Sequence, residues 1–308
     1  MALDHVITPS AEASSLLGGS AAYAALAASY FSRPVHLVGI IGHDFPASHL
    51  QMLEQRGVSL IGLERSNQGS FSWKGEYHEN MNERTTHHVA LNVLEHWQVE
   101  VPAEIATSPI VVLANMSPDN QARMLASCSA IERFVIADTM DLWIQIASEG
   151  LDQILPIVDL FVINEGEAKA FTGCNQLLDA GKQLLAKGPR HVVIKLGEFG
   201  AMLFRRADQH SDHEWQLDAE HFFRIPAFPL ETVVDPTGAG DTFLGAMAGY
   251  LAARGSTQPS FADIRRAVIR GSVLASFTCE AFSTHRIESL TAAEIDEREA
   301  LMQQLCHW

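Results

Sequence analysis

What these 308 residues lack narrows the possibilities first. Four cysteines, Cys128, Cys174, Cys279 and Cys306, stand far apart and form no Cys-x-x-Cys pair. That argues against a zinc site or a disulfide framework and fits a reducing cytoplasm. Basic residues are few: 21 Lys plus Arg face 37 Asp plus Glu, for a formal charge of -16, and no dense basic run offers itself to nucleic acid. The longest apolar stretches, 21–31 and 35–41, are too short or too interrupted to span a bilayer, and no basic-then-apolar leader is visible. A cytoplasmic protein with no membrane and no nucleic-acid partner is expected. Also missing are Gly-x-x-x-x-Gly-Lys-Ser/Thr, which excludes a standard P-loop, and a Gly-x-Gly-x-x-Gly after the first strand, which disfavours a dinucleotide-dependent oxidoreductase. The 14 histidines show no metal spacing with acids and read as core or solvent-facing residues.

What is present is globular: 47% hydrophobic and 19% charged residues, enough for one large α/β domain rather than two. Short β-branched runs at 35–41, 110–114, 134–138, 159–163 and 192–196 alternate with helical stretches such as 46–56, which predicts a parallel sheet with crossovers. Asp44 reads as the cap of the helix beginning at Pro46. From 58 to 94 helical periodicity is absent. Phe71, Trp73 and Tyr77 are spaced like strand residues there, with turns at Asn67-Gln68-Gly69 and Lys74-Gly75, so a β-rich insertion is expected. Residues 262–277 and 294–304 are predicted helices.

The stretch that carries chemistry is Val233-Val234-Asp235-Pro236-Thr237-Gly238-Ala239-Gly240-Asp241-Thr242-Phe243. Val233 and Val234 read as the end of a buried strand, Pro236 stops it, and 244–253 has helical composition. Gly238, Ala239 and Gly240 let a backbone approach a ligand closely, and the free N–H groups of a helix start favour negative charge. Asp241 would repel a resting phosphate there, so it makes sense as a base that takes a proton from an attacking hydroxyl. An ordinary helix cap is the other use of an Asp at this place.

The whole string closely resembles the C-terminal signature of the PfkB or ribokinase family of carbohydrate and nucleoside kinases, with Pro236 replacing a Thr. The resemblance implies a ribokinase-like three-layer α/β/α fold over 1–308, with a mostly parallel central sheet and a β-rich lid formed by about 8–17 and 58–98. It implies ATP and Mg2+ as cofactors, Asp241 as catalytic base, and the backbone of Gly238, Ala239 and Gly240 as anion hole.

Other family positions follow in order. Asp4 stands where the family binds substrate hydroxyls after a full apolar strand, so the chain is expected to begin near the end of that strand, with Asp4 either a ligand or frayed. Gly18 and Gly19 resemble the family's N-terminal glycine pair, which lies against substrate; Tyr23 stands where an Asn often binds sugar. Asn164-Glu165-Gly166-Glu167 resembles the Asn-x-x-Glu motif, implying that Asn164 and Glu167 organise Mg2+ through its waters. A Glu in a first helical turn is otherwise a dipole partner. Asp138-Thr139-Met140 ends another strand beside that site. Lys195, Gly197 and Gly200 resemble the nucleotide loop, with an ordinary β-turn as the alternative, and Thr237 joins them in the nucleotide site. Asp235 is placed by analogy at a monovalent-cation (K+) site.

The implied reaction is phosphoryl transfer from ATP to a primary hydroxyl of a small sugar. A nucleoside acceptor is the alternative, since Tyr23, Phe71 and Trp73 could stack a base. A non-catalytic ligand-binding relative is the alternative from another class. Arg84 and Asn82 are candidates to face substrate, and exposed lid residues such as Trp73 for a homodimer face.

Overall fold

The computed structural model describes residues 1–207 and 215–306. Its strands in chain order are β1 (Ala2–Ile7), β2 (Glu12–Gly18), β3 (Val35–Ile41), β4 (Val58–Arg65), β5 (Phe71–Tyr77), β6 (Arg84–Ala90), β7 (Ile110–Leu113), β8 (Phe134–Asp138), β9 (Leu160–Asn164), β10 (His191–Lys195), β11 (Ala201–Arg205) and β12 (Phe222–Ile225). β7 to β10 run parallel, and β11 and β12 complete a six-stranded sheet in antiparallel sense, in the order β12-β11-β10-β9-β8-β7. β3 and β4 form a separate parallel pair.

The sheet is buried on both faces, which is why its strands read as β-branched runs. Alternate residues serve opposite layers. Phe134, Ile136, Leu160 and Val162 pack with the helices Ser20–Ala28, Ala239–Arg254 and Phe261–Thr278, while Val135, Ala137, Phe161 and Ile163 pack with Pro118–Ser127, Ser148–Ile154, Glu165–Thr172 and Leu177–Ala186. This is the expected three-layer α/β/α arrangement. The expected helices at 46–56, 262–277 and 294–304 are Ala47–Gln55, Phe261–Thr278 and Ala292–Cys306. No helix among the described residues is long and apolar enough to cross a membrane.

Three local expectations need correction. Val233 and Val234 lie in no strand; the Val234 N–H instead donates to the Cys279 carbonyl at 2.8 Å, so the segment is held as a loop by the end of the Phe261–Thr278 helix. Asp44 does not cap the helix after Pro46, which has no side-chain cap bond. Its Oδ1 accepts from Ser70 N and Ser70 Oγ, both at 2.7 Å, and so fastens the turn after β3 to the chain entering β5. The β-rich insertion is smaller than 58–98: β4 pairs with β3, and the small sheet is β2-β1-β5-β6, with β1 at its centre. Asp4 is therefore the third residue of a paired strand, opposite Trp73 on β5 and Leu16 on β2, and not a frayed end.

Two helices that begin at the site cross almost without side chains. A Cβ added at Gly245 would stand 2.1 Å from the Ala24 carbonyl oxygen, and one at Gly249 2.5 Å from that of Ala28. Main chain cannot yield as a flexible side chain can, so this contact sets the spacing of the two helix starts. Gly245→Val should destabilise the protein by about 3 kcal/mol and lower any activity, read by denaturant unfolding. An unchanged unfolding midpoint would contradict this packing.

Candidate active site

The glycine-rich turn is built from both ends. Asp235 is wholly buried; its Oδ1 accepts from Thr237 N at 2.9 Å and its Oδ2 from Ser283 N at 3.0 Å, so the carboxylate pins the turn to the segment beyond the Phe261–Thr278 helix. Both oxygens take N–H donors here, a setting that organises main chain. Gly238 then enters the left-handed region at φ 77, and a Cβ there would lie 2.3 Å from Cζ of Tyr23. Glycine is required twice over, by conformation and by space.

Tyr23 is 1% exposed. Its ring backs the glycine turn. Thr237, expected at the nucleotide, donates its hydroxyl to the Tyr77 hydroxyl of β5 at 3.2 Å, tying the turn to the small sheet.

After Gly238 the helix Ala239–Arg254 begins. Ala239 N–H is used within the turn, on the Pro236 carbonyl at 3.2 Å, so it is not free for an anion. The N–H groups of Gly238, Gly240 and Asp241 meet no acceptor among the described residues. They form an open concentration of positive dipole at a helix amino end. Lys195, at the end of β10, adds a full charge: a Cβ on Gly240 would stand 3.0 Å from its Nζ. Lys195 thus faces the turn itself.

Around this positive corner the fold gathers acids at strand and helix ends. Asp138 ends β8, with Oδ2 3.6 Å from Lys195 Nζ and Oδ1 accepting from Thr139 N at 2.7 Å. Asn164 and Glu167 make a reciprocal capping box at the end of β9: Asn164 Oδ1 accepts from Glu167 N at 2.8 Å, and Glu167 Oε2 from Asn164 N at 2.9 Å. The motif is therefore a helix cap as well as a pair of oxygen donors. Asp4 sits against Gly18, whose missing side chain leaves room for the carboxylate, since a Cβ there would be 2.0 Å from Asp4 Oδ2. Gly19, at φ 86, similarly lies over the main chain of Met1 and Ala2. The two glycines make space for β1 and its Asp.

The electrostatics follow from that crowding. Burial pushes the carboxyl of Asp241 up to about 7, with the charge of Asp138 adding to it and Lys195, the Ser20 hydroxyl and Arg84 opposing. Burial likewise lifts Asp4 to about 7, reinforced by Asp235 and Asp241, and Glu167 to about 7, reinforced by Asp138. Burial alone would lower Lys195, but the carboxylates of Asp138, Glu167 and Asp241 outweigh it and hold the ammonium above its ordinary value. Such a cluster is suited to accept protons and to meet cationic charge.

Among the described residues no group of three His, Cys, Asp or Glu could hold a metal directly. Oxygen donors from Asp138, Asn164 and Glu167 fit a Mg2+ that keeps its waters and binds mostly to phosphate, the usual habit of that ion.

Some residues were not legible at their positions. Ser20 lies on Asp241 from the start of its own helix. Gln121 donates to the carbonyls of Asp138 at 2.9 Å and of Leu113 and Ala114 at 3.3 Å, lacing two strand ends together. Two of the nucleotide-loop glycines serve structure: Gly200, at φ 92, leaves no room for a Cβ, which would be 2.0 Å from the Ile225 carbonyl, and Gly197 turns at φ 57. At this loop the small sheet reaches across, as Asn82 donates to Glu198 Oε1 at 3.0 Å.

Removing a buried charge tests the acid cluster. A carboxyl raised in the folded state binds its proton more tightly folded than unfolded, so its cost to stability grows as pH rises from its unfolded value toward about 7. Asp4→Asn should therefore raise the Tm of the unliganded protein at pH 8 by roughly 5 °C, and by less than half as much at pH 5. An equal shift at both values would show that Asp4 is not held in this way.

Comparison with known proteins identifies the family and the fold. Residues 6–290 match the family described as pfkB family carbohydrate kinase. The cytidine kinase of Thermococcus kodakarensis is 27% identical over 257 residues, covering 81% of this chain and 86% of that protein. Among solved structures, a putative ribokinase II from E. coli in complex with ATP and Mg2+ superposes with a TM-score of 0.76 at 18% identity, covering 98% of this chain and 96% of the other. The nucleoside kinase of Burkholderia thailandensis, in complex with inosine, gives 0.72 at 18%, again over 98% and 96%. These likenesses confirm the ribokinase fold. With its glycine turn, its acids and nearly its whole length accounted for, the chain belongs to the pfkB family of carbohydrate kinases, phosphotransferases whose acceptor is a hydroxyl group.

Proposed function

We propose that this enzyme transfers the γ-phosphoryl group of ATP to the primary hydroxyl of a small sugar. The observation that carries the reading is the meeting of Asp241 with the free N–H groups of Gly238, Gly240 and Asp241 and with the Lys195 ammonium.

Asp4, buried on β1, accepts hydrogen bonds from ring hydroxyls and so holds the acceptor by the end opposite its reacting group. Asp241 then takes the proton of the attacking hydroxyl, a task suited to a carboxyl held at about 7. Ser20 fixes its orientation. As the phosphoryl group passes across, the N–H groups of the turn and Lys195 stabilise the charge on its oxygens, with no reorganisation needed at that moment. Asp138 keeps Lys195 charged and aimed. Mg2+ on the phosphates, when bound, neutralises part of the same charge; Asn164, Glu167 and Asp138 are the residues that would hold it through water. The small sheet, anchored through Tyr77–Thr237 and Asn82–Glu198, is suited to close over the acceptor and exclude water that would otherwise compete for the phosphoryl group.

The second reading is a nucleoside acceptor, favoured by the cytidine kinase, a relative matched over most of its length. A furanose with a free CH2OH serves either reading, and the chemistry at Asp241 is the same.

ADP release should be measured with ribose, fructose, fructose phosphate, adenosine, cytidine, inosine and guanosine. Asp241→Asn should lower kcat at least 1000-fold with ATP affinity nearly intact; equal loss of both removes Asp241 from the role of base. The acid limb of kcat/KM gives an independent check. It should fall near pH 7 in the wild type, move to lower pH in Asp138→Asn, and move to higher pH in Lys195→Met, because the first removes a repelling charge and the second an attracting one. Shifts in the opposite senses would contradict the proposed site. Turnover on nucleosides but not on free sugars would establish the second reading over the first.

A further inference from the structure

Two cations bear on the Asp241 carboxylate, and they differ in their other commitments. Lys195 is engaged, with its Nζ 3.6 Å from Asp138 Oδ2. Arg84, the first residue of β6, is exposed, and its side chain makes no hydrogen bond or ion pair with any described residue.

The fold fixes where that guanidinium stands. Arg84 is the cross-strand partner of Tyr77, so the two side chains leave the same face of the small sheet. Tyr77 is buried, and its hydroxyl accepts from Thr237 of the glycine turn at 3.2 Å, so this face looks onto the turn. Burial raises both the Tyr77 hydroxyl and the Asp241 carboxyl, and the charge of Arg84 pulls each of them back down. On the other side of Arg84 the hairpin tip is locked in place. His78 N donates to the Glu83 carbonyl at 2.9 Å, and Asn80 Oδ1 accepts from the N–H groups of Asn82 and Glu83, both at 3.1 Å. Asn82 then reaches the loop after β10, donating to Glu198 Oε1 at 3.0 Å, while its own Oδ1 would stand 3.5 Å from a Cβ on Gly197. Arg84 thus lies between one contact to the glycine turn and one to the loop that follows Lys195.

We propose that Arg84 is a catalytic residue carried by the small sheet, whose guanidinium binds oxygens of the phosphoryl group during its transfer, from the side opposite Lys195. This rests on the reaction proposed above. In that step the acceptor oxygen forms a bond to the γ-phosphorus, the bond from that phosphorus to the bridging oxygen breaks with its electron pair going to ADP, and the acceptor proton goes to Asp241. Arg84 exchanges no proton. Its planar fork of N–H donors matches two phosphoryl oxygens, which the single ammonium of Lys195 does not. Its place on the small sheet couples cover over the acceptor to the supply of charge.

The test uses Arg84→Gln and Arg84→Lys in the full chain. Calorimetry in Mg2+ compares ADP with the ATP analogue that has an imido bridge between its β and γ phosphates. Arg84→Gln should weaken binding of the analogue about tenfold and leave that of ADP unchanged. On any acceptor that the wild type phosphorylates, it should lower kcat at least about 100-fold with acceptor KM nearly unchanged. Arg84→Lys should recover part of both losses, because it restores the charge without the fork. Equal weakening of analogue and ADP would make Arg84 a clasp for the small sheet and overturns the proposal. A raised KM for acceptors that carry a phosphate or carboxylate, with affinity for the analogue intact, would assign Arg84 to the acceptor and also overturns it. If Arg84→Gln turns over like the wild type while Asp241→Asn does not, this inference fails and the proposed reaction stands. If the wild type phosphorylates no acceptor, the proposed reaction fails, and the two affinities still decide whether Arg84 holds the γ-phosphate.

Discussion

Repulsion among buried carboxylates is the interaction on which the rest of this structure depends. Asp4, Asp138, Asp235, Glu167 and Asp241 converge from four stretches of chain, and the Lys195 ammonium is set among them. Left alone, such a group costs stability, because each charge lacks water and faces others of its own sign. The fold tolerates it by holding several of these groups near neutral pH in their titration and by supplying fixed N–H dipoles at the glycine turn. The same arrangement is what a phosphoryl-transfer site requires: a base near its working pH and a positive corner that does not have to reorganise.

Close approach of neighbouring groups to the glycines is the second constraint. Gly18 leaves room for the Asp4 carboxylate, Gly238 for the Tyr23 ring, Gly240 for the Lys195 ammonium, and Gly245 for the next helix. Four positions thus set the relative placement of acid, cation and helix start. A turn with no side chains also leaves its N–H groups uncovered.

Much of the architecture could be read from pattern. Buried parallel strands show themselves as runs of Val, Ile and Phe because helices cover both faces, so β7 to β10 were legible to within a residue or so. β2 and β6 were harder, since they lie at the edges of the small sheet with much of their length exposed and so lack a strong apolar signal. Val233-Val234 misled because two β-branched residues before Pro look alike in a strand and in a loop held by the Cys279 carbonyl. Asp44 misled for a related reason. A cap and a long-range bond to Ser70 need the same short acid after a strand, and only the folded chain brings Ser70 into reach.

In the site, the string from Asp235 to Asp241 is local. Its turn, its helix start and its acid follow one another in the chain, and this by itself determined the chemistry to expect and the family in which to place it. The strand periodicity determined the layers in the same way. Tertiary structure decided what depends on distance: that Lys195 faces Gly240, that Asp138 and Glu167 share its charge, that Ser20 reaches Asp241, and that the Tyr23 ring lies buried against Gly238. Local pattern records how neighbouring residues bend and which face they bury. Coulomb interactions and packing act between residues that are tens to hundreds of positions apart, and no periodicity along the chain encodes them.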